Sequence, residues 1–224
     1  MYDVIIVGAG PAGLFSAYEL CKNKDLKILL LDQGKLARNR CCPMNKKGMP
    51  CINCSPCNIM SGYGGAGTFS DGKLNFVPKL GKSDLTKYMD LDDANKLIDD
   101  TEKIFNEFGM DSKVYPTNMD EALEIQKKVA LTGAKLMIIK QKHLGSDKLP
   151  MYIQHMTDYL IKHGVEVLEN VSVLDICSKS KNNHKLICKS GSKDINFETR
   201  KVIIAPGRVG AKWIQELADK YDIS

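Results

Sequence analysis

The spacing of hydrophobic positions predicts that strands and helices alternate in the first part of the chain. A short apolar run at residues 4–7 predicts a strand buried on both faces, and helical spacing follows over residues 14–20. A second strand is predicted at residues 27–31, ending at Asp32. Residues 34–81 fit neither pattern and are dominated by cysteine and glycine.

Helical spacing returns later in the chain and then gives way to short strands. Two helices are predicted at residues 91–108 and 120–131, with glycines expected to end them, and a third at residues 152–162. Further strands are predicted at residues 136–139, 165–168, 171–176, 185–188 and 202–205, with a polar hairpin turn at 178–184 and a last helix at 211–220. This order predicts an α/β fold: a Rossmann-like parallel sheet with flanking helices and a small antiparallel β-meander.

A glycine fingerprint joins the first strand to the first helix. Gly8, Gly10 and Gly13 match G-x-G-x-x-G, the pattern that allows a tight turn, a close approach of a diphosphate and close packing of helix on strand. Asp32 ends the second strand, where an acid binds a ribose hydroxyl and disfavours a 2′-phosphate. A glycine turn without a ligand is the alternative. The predicted dinucleotide contacts are Gly8, Gly10, Pro11, Ala12, Gly13 and Asp32.

Composition and charge exclude several other classes of protein. The chain is 43% apolar and 26% charged, as in a folded globular protein. Its net charge of +5, from 32 basic and 27 acidic residues, is too small and dispersed to indicate nucleic-acid binding. No apolar run reaches membrane-spanning length, and the N-terminus has no basic leader. We therefore expect a cytoplasmic protein without a nucleic-acid or membrane partner.

Two later segments carry a family resemblance. The stretch at residues 199–207 resembles the second signature of the glutathione-reductase-like FAD flavoproteins, with Pro206 in place of the usual threonine. Residues 51–74, 143–149 and 206–208 resemble a little-characterised family of cysteine-motif FAD-dependent dehydrogenases. The resemblance implies an FAD/NAD(P)-binding fold and an oxidoreductase that moves electrons or hydride between an unknown substrate and flavin, with NAD(P)H or a small molecule as a further partner. The additional flavin contacts it implies are Gly64, Gly65, Ala66, Gly67, Val173, Ala205 and Gly207.

Two residues are candidates for a catalytic role. Lys73 is suited to place positive charge beside a reduced flavin anion, and a surface lysine is the alternative. His143, in a turn-like sequence, is the acid–base candidate because imidazole titrates near neutral pH, and a helix-capping or surface histidine is the alternative that this sequence favours.

A cysteine cluster offers a different chemistry. Cys51, Cys54 and Cys57, with Cys42 or Cys41 as a fourth thiolate, have spacing compatible with an iron–sulfur cluster, zinc or a redox dithiol. Reduced thiols packed in a loop are the remaining alternative. The nearby basic residues Arg38, Arg40, Lys46 and Lys47 are expected to favour thiolates. The scattered Cys21, Cys177 and Cys188 are expected to be small buried residues.

The domain prediction is one FAD-binding domain over residues 1–224. It contains the cysteine- and glycine-rich excursion at 34–81 and a helical insertion at about 84–150. By resemblance the chain is expected to be the N-terminal half of the family, lacking the segment that completes the flavin pocket. Two other functions therefore stay open: a cysteine-ligated electron-transfer or sensing module, and a non-catalytic dinucleotide-binding half that needs a second chain.

Overall fold

The computed structural model describes residues 1–45, 48–145 and 147–223. The strands are β1 Tyr2–Val7, β2 Ile28–Leu31, β3 Lys73–Asn75, β4 Lys79–Leu80, β5 Ser83–Asp84, β6 Val114–Tyr115, β7 Gln141–His143, β8 Glu166–Leu168, β9 Ser172–Ser180, β10 Asn183–Ser190 and β11 Lys193–Ile204. The helices are α1 Pro11–Leu20, α2 Leu91–Glu107, α3 Met119–Ala130, α4 Leu149–Lys162 and α5 Ala211–Tyr221. Single 3₁₀ turns cover Ala37–Asn39, Ala66–Phe69, Leu85–Lys87 and Arg208–Gly210.

The chain divides into two compact units. The first combines Met1–Phe69 with Ile153–Ser224, and the second is Ser70–Tyr152. The first unit therefore contains the glycine fingerprint, the cysteine cluster and the C-terminal strands, whereas the second contains α2, α3 and the short strands β3 to β7.

A six-stranded sheet organises the first unit, in the order β8-β2-β1-β11-β10-β9. Strands β8, β2, β1 and the end of β11 are parallel, and β9, β10 and β11 form an antiparallel meander. The long β11 belongs to both parts, because Thr199 is paired with His184 of the meander and with Tyr2 of β1. The predicted parallel sheet and meander are confirmed, and they form one continuous sheet.

The core lies on both faces of the parallel strands, as their uninterrupted apolar sequences predict. On one face Ile5, Val7, Leu29 and Leu31 pack with Val171, Leu186 and Cys188, and Trp213 of α5 packs against this cluster. On the other face α1 contacts β1 and β2 and buries Leu14, Ala17 and Tyr18. Each large apolar side chain buried in this way contributes about 1.5–3 kcal/mol before entropy is counted.

The second unit contains two capped helices and a small antiparallel sheet. The Asp90 carboxylate accepts the Asp93 N–H and begins α2, which ends before Gly109 at φ +92°. The Asn118 side chain caps α3. Strands β3, β7 and β6 form a three-stranded antiparallel sheet, and β4 pairs with β5. The predicted helices at residues 91–108 and 120–131 are confirmed within one residue at their ends.

Two sequence predictions about strands were wrong. Residues 136–139 are not a strand: the Leu136 carbonyl accepts a hydrogen bond from the Gln126 side chain at 2.8 Å, and pairing begins only at β7. Met137 is 50% exposed, so these apolar residues do not mark a buried strand. Conversely, β3 and β4 lie inside the excursion at 34–81, where strands of two or three residues are too short to produce a recognisable alternation.

No helix in residues 1–45, 48–145 and 147–223 combines the length and the apolar character that a bilayer crossing needs.

Candidate functional site

The three fingerprint glycines are required for different reasons. A Cβ at Gly8 would lie 2.3 Å from the Ala205 carbonyl oxygen, and one at Gly13 would lie 1.9 Å from the Gly8 carbonyl oxygen. Both positions therefore need glycine for the fold itself. At Gly10 the nearest atom to an added Cβ would be the Gly65 Cα, 3.9 Å away, which is ordinary contact. The protein's own packing does not demand glycine at position 10.

Helix α1 begins directly at this loop. Gly10 is its N-cap, no side chain caps it, and Pro11 occupies the first helical position. The first turn of an α-helix leaves backbone N–H groups without intrahelical partners and carries the positive end of the helix dipole. An uncapped N-terminus of this kind is suited to bind a phosphate.

Asp32 fastens the fingerprint loop to the end of β2. Its Oδ2 accepts the Ala9 N–H at 2.8 Å and its Oδ1 accepts the Gly34 N–H at 2.7 Å. The residue is 9% exposed and lines a cavity. Each carboxylate oxygen accepts more than one hydrogen bond, so both retain acceptor capacity for a ligand.

The glycine-rich loop lies against the fingerprint loop. The Gly64 N–H donates to the Ala9 carbonyl oxygen at 2.8 Å, and the Gly65 backbone approaches Gly10. Gly64 is buried, and a Cβ there would lie 2.2 Å from the Thr68 Oγ1. The two glycine segments, far apart in sequence, thus form one wall.

Two adjoining cavities lie at this wall. The larger, of about 260 Å³, is lined by Gly10, Pro11, Asp32, Gln33, Met60, Ser61, Gly62, Gly65, Ala66 and the segment 205–209. The smaller, of about 110 Å³, is lined by Val7, Gly8, Leu31, Asp32, Gln33, the segment 171–173, Pro206, Val209, Gly210 and Trp213. We call the two together the crevice. Asp32 and Arg208 are its charged lining residues.

Most of the predicted cofactor residues lie at the crevice. Lining it are Gly8, Gly10, Pro11, Asp32, Gly65, Ala66, Val173, Ala205 and Gly207. Ala12, Gly13, Gly64 and Gly67 are not among its lining residues, and Gly13 and Gly64 instead occupy tight backbone contacts. Sequence reasoning missed Gln33 and Trp213, for which no motif gave a signal. It also did not assign Ser61 and Arg208 as contacts, although both lie in segments that carry the family resemblance.

Arg40 holds the segment that forms the rim of the crevice. It is buried, and its guanidinium donates to the carbonyl oxygens of Asn58 at 2.9 Å, Ile59 at 2.6 Å and Tyr63 at 2.7 Å. A further bond joins it to the Thr68 hydroxyl at 3.0 Å. Burial lowers the pKa of Arg40 to about 10. The hydrogen bonds of Arg40 go to backbone carbonyl oxygens and to Thr68, and its effect on the cysteine thiolates stays a prediction.

Tyr63 anchors the same loop to the sheet. Its side chain is fully buried, and its hydroxyl lies 2.9 Å from the Leu30 carbonyl oxygen and 3.0 Å from that of Leu168. Burial raises the pKa of Tyr63 well above its ordinary value. The aromatic residue in the glycine-rich sequence is thus a structural anchor between β2 and β8.

Lys73 and His143 are neighbours in the second unit. They are paired across β3 and β7, so His143 lies on a strand and not in a turn. The Lys73 Nζ lies 2.8 Å from the Asp71 Oδ2, and the His143 Nε2 lies 2.9 Å from the Asp71 carbonyl oxygen. The hydrogen bond from Lys73 lowers the pKa of Asp71. These contacts form an exposed polar cluster, and a catalytic role for either residue stays a prediction. Ser146, in the same sequence motif, lies outside the described residues.

The four cysteines predicted as metal ligands surround one small space. Cys42, Cys51, Cys54 and Cys57 line a cavity of about 20 Å³. Within the described parts of the chain, no three His, Cys, Asp or Glu side chains are arranged to hold a metal ion. The prediction of an iron–sulfur cluster or zinc is therefore not supported. Lys46 and Lys47 lie outside the described residues, and Arg38 lies 3.7 Å from Asp158.

The scattered cysteines differ from one another. Cys21 and Cys188 are buried as predicted, and burial raises the pKa of Cys188 to about 12. Cys177 is only half-buried, with its Sγ 3.7 Å from the Tyr221 hydroxyl, so the prediction was wrong for this residue.

Sequence comparison finds relatives for the first part of the chain. Residues 1–38 match the Thi4 family. An uncharacterised protein of Methanosarcina barkeri is 46% identical over 41 residues, which are 18% of this chain and 10% of that protein. The family match covers β1, the fingerprint, α1 and β2.

Structural comparison covers the whole chain. Glycine oxidase from Geobacillus kaustophilus has a TM-score of 0.53 at 18% identity over 100% of this chain. THI4 from Thermovibrio ammonificans has a TM-score of 0.50 at 15% identity over 97%. A 3-ketosteroid-Δ4-(5α)-dehydrogenase from Rhodococcus jostii RHA1 has a TM-score of 0.52 at 12% identity over 91%.

These likenesses define the class of fold. The chain shares the Rossmann-like α/β fold of these structures, with a mostly parallel sheet and flanking helices, which confirms the predicted fold class. It spans 59% of the glycine oxidase, 63% of THI4 and 45% of the dehydrogenase.

Proposed function

We propose that the chain binds FAD in the crevice, as part of an FAD-dependent oxidoreductase that moves electrons or hydride between a substrate and the flavin. The fold and the fingerprint support a dinucleotide. The names of two structural neighbours, an oxidase and a dehydrogenase, support redox chemistry. The bound flavin would supply the electron-transfer chemistry, and the protein would orient it and set its electrostatic surroundings.

The observation that carries this proposal is the open space beside Gly10. Gly8 and Gly13 are explained by the fold, because a Cβ at either would collide with backbone. A Cβ at Gly10 collides with nothing, yet it would point into the region between the α1 N-terminus and the glycine-rich loop. Glycine there is explained by a ligand that approaches the backbone closely, as a diphosphate does.

In this proposal, different residues of the crevice contact different parts of the FAD molecule. The diphosphate lies at the α1 N-terminus, and the adenosine ribose lies at the remaining acceptor positions of Asp32. The smaller cavity, with Val173 and Trp213, takes the adenine. Gly65, Ala66, Ala205 and Gly207 extend from the diphosphate toward the flavin. The adjoining cavities have a combined size at the lower end of the range for ligand sites, about 300–1,000 Å³.

Partners of the complete protein follow from the same proposal. NAD(P)H or a small organic molecule is the second redox partner, and further polypeptide, on this chain or on a second one, completes the substrate site. The cysteine-ligated alternative is not favoured, because the described cysteines have no metal-binding arrangement.

Flavin binding is tested directly with the purified protein. Bound FAD gives absorption bands near about 375 and 450 nm, because the cofactor carries the chromophore. The single tryptophan, Trp213, lines the smaller cavity, so FAD titrated into the apoprotein should quench its fluorescence. Gly10→Ala and Gly10→Val should reduce FAD affinity in that order, at least ten-fold for valine, without lowering the melting temperature of the apoprotein by more than a few degrees. Equal affinity for FAD in the wild type, Gly10→Ala and Gly10→Val would refute the assigned site.

A further inference from the structure

A buried hydroxyl at the crevice lacks a hydrogen-bond partner among the residues that the structure describes. Ser61 is 4% exposed and lines the larger cavity, and its Oγ has no hydrogen-bond partner in the described part of the chain. An unpaired buried hydroxyl is costly, because it has lost water and gained nothing in exchange. Such groups are rare in folded proteins, and a ligand that supplies the missing partner is one established reason for them.

The backbone around Ser61 is fixed by hydrogen bonds of its own amide and of the residues on either side. The Ser61 N–H donates to the Cys57 carbonyl oxygen at 2.8 Å. On either side of it along the chain, the carbonyl oxygens of Ile59 and Tyr63 accept from the Arg40 guanidinium. Ser61 is therefore held in position at the cavity wall before any ligand binds.

The lining of the larger cavity indicates what the hydroxyl would meet. The uncapped N-terminus of α1, at Gly10 and Pro11, contributes donors and the positive end of a helix dipole. Arg208 adds a positive side chain. The acid in this lining, Asp32, already accepts two backbone N–H groups. A ligand group in such surroundings is an anionic acceptor, and a hydroxyl beside it acts as a donor.

We propose that the Ser61 Oγ donates a hydrogen bond to a phosphate oxygen of the bound nucleotide diphosphate. Ser61 and the α1 N-terminus thus bind the same phosphate group from two sides of the cavity. This inference rests on the proposed function, but it names a contact that the glycine fingerprint does not include.

Two alanine variants separate a ligand contact from a structural role. Ser61→Ala removes the hydroxyl at the crevice. Ser112→Ala is the matched control, because the Ser112 Oγ is also buried and unpartnered but belongs to the second unit and does not line the crevice. A structural hydroxyl would destabilise the apoprotein when removed. An unpaired one should leave the melting temperature of the apoprotein unchanged or raise it in both variants.

Binding is measured by Trp213 fluorescence or calorimetry with FAD, ADP and adenosine. Ser61→Ala should weaken FAD and ADP about ten-fold or more, as expected for a lost hydrogen bond to a charged group, and leave adenosine unchanged. Ser112→Ala should bind all three like the wild type. If Ser61→Ala binds FAD and ADP with wild-type affinity, or if its apoprotein melts several degrees lower, the inference is wrong while flavin binding stands. If the wild type binds ADP with this Ser61 dependence but rejects FAD, the diphosphate contact stands and the flavin proposal fails. If the wild type binds none of them, both are wrong.

Discussion

Arg40 provides the sharpest test of how the crevice is held together. The residue is 5% exposed, and its guanidinium makes three short bonds to backbone carbonyl oxygens of the segment 58–63. Arg40→Met keeps most of the aliphatic part of the side chain but removes every donor, together with the Cζ atom that lies 4.9 Å from the centre of the Phe69 ring. Three carbonyl groups then lose their charged partner: that of Tyr63 is buried, and those of Asn58 and Ile59 are part-buried.

The net effect is the difference between two opposing contributions. The buried Tyr63 carbonyl costs about 2 kcal/mol when it loses its partner, and the two part-buried carbonyls cost about 1 kcal/mol each, or about 4 kcal/mol together. Against this, the wild type bears a cost for burying a charge, and the same burial lowers the pKa of Arg40 to about 10. Methionine removes that cost. We therefore expect Arg40→Met to lower the free energy of unfolding by about 2 kcal/mol.

Urea unfolding followed by Trp213 fluorescence measures this quantity, because Trp213 belongs to the same unit. The free energy of unfolding of Arg40→Lys should lie between those of the wild type and Arg40→Met. An ammonium keeps the charge, but it lacks the planar set of donors of a guanidinium. Arg38→Met is the control: the Arg38 side chain is 56% exposed, and its Nη1 lies 3.7 Å from Asp158, so its loss should change stability by less than about 0.5 kcal/mol. A difference between Arg40→Met and wild type below about 0.5 kcal/mol would refute the role assigned to this buried arginine.

Three further predictions concern stability in both units. Gly13→Ala should prevent stable folding, as seen by circular dichroism, because its Cβ would lie 1.9 Å from a backbone carbonyl oxygen; a normally melting variant would contradict the observed helix–strand contact. Above pH 9 the unfolded chain loses the Cys188 proton while the folded protein keeps it, its pKa being raised to about 12 by burial. The free energy of unfolding therefore falls as pH rises. Cys188→Ala should make this fall smaller by about 1.4 kcal/mol between pH 8 and pH 10. The same fall in wild type and variant, measured by urea unfolding, would contradict the prediction. Glu102→Gln should lower the free energy of unfolding by about 3 kcal/mol, because the Lys142 ammonium, 3.0 Å away and almost fully buried, loses its charged partner. Asp99→Asn, at an exposed site, should have little effect. Equal losses in the two variants, measured by urea unfolding, would show that burial does not matter here.

The parallel sheet was predictable because its signals are local and strong. Continuous branched apolar runs predict strands buried on both faces, and the glycine fingerprint fixes the order strand, turn and helix. Asp32 at the end of β2 was identified for the same reason, since its position follows from counting along two adjacent elements. What the sequence did not reveal is that its carboxylate also ties down the Ala9 and Gly34 amides.

The rest of the crevice depends on contacts between residues distant in sequence. Arg40 and Tyr63 bind backbone carbonyl oxygens, which leave no pattern in the amino-acid sequence. Ser61 differs from other serines because its hydroxyl is buried and has no hydrogen-bond partner in the described part of the chain. The sequence does not show this, because burial is known only from the structure. The wrong strand at residues 136–139 has a similar origin, because an apolar run suggests burial and Leu136 and Met137 are nevertheless exposed.

The proposed dinucleotide lies with its diphosphate at the α1 N-terminus and its ribose at Asp32. A crystal structure of the protein grown with excess FAD tests this placement most directly. We expect electron density for the diphosphate against Gly10 to Ala12, with a ribose hydroxyl within hydrogen-bond distance of an Asp32 carboxylate oxygen. A crevice that remains empty, or that is filled by the protein's own side chains while FAD binds elsewhere, would contradict it.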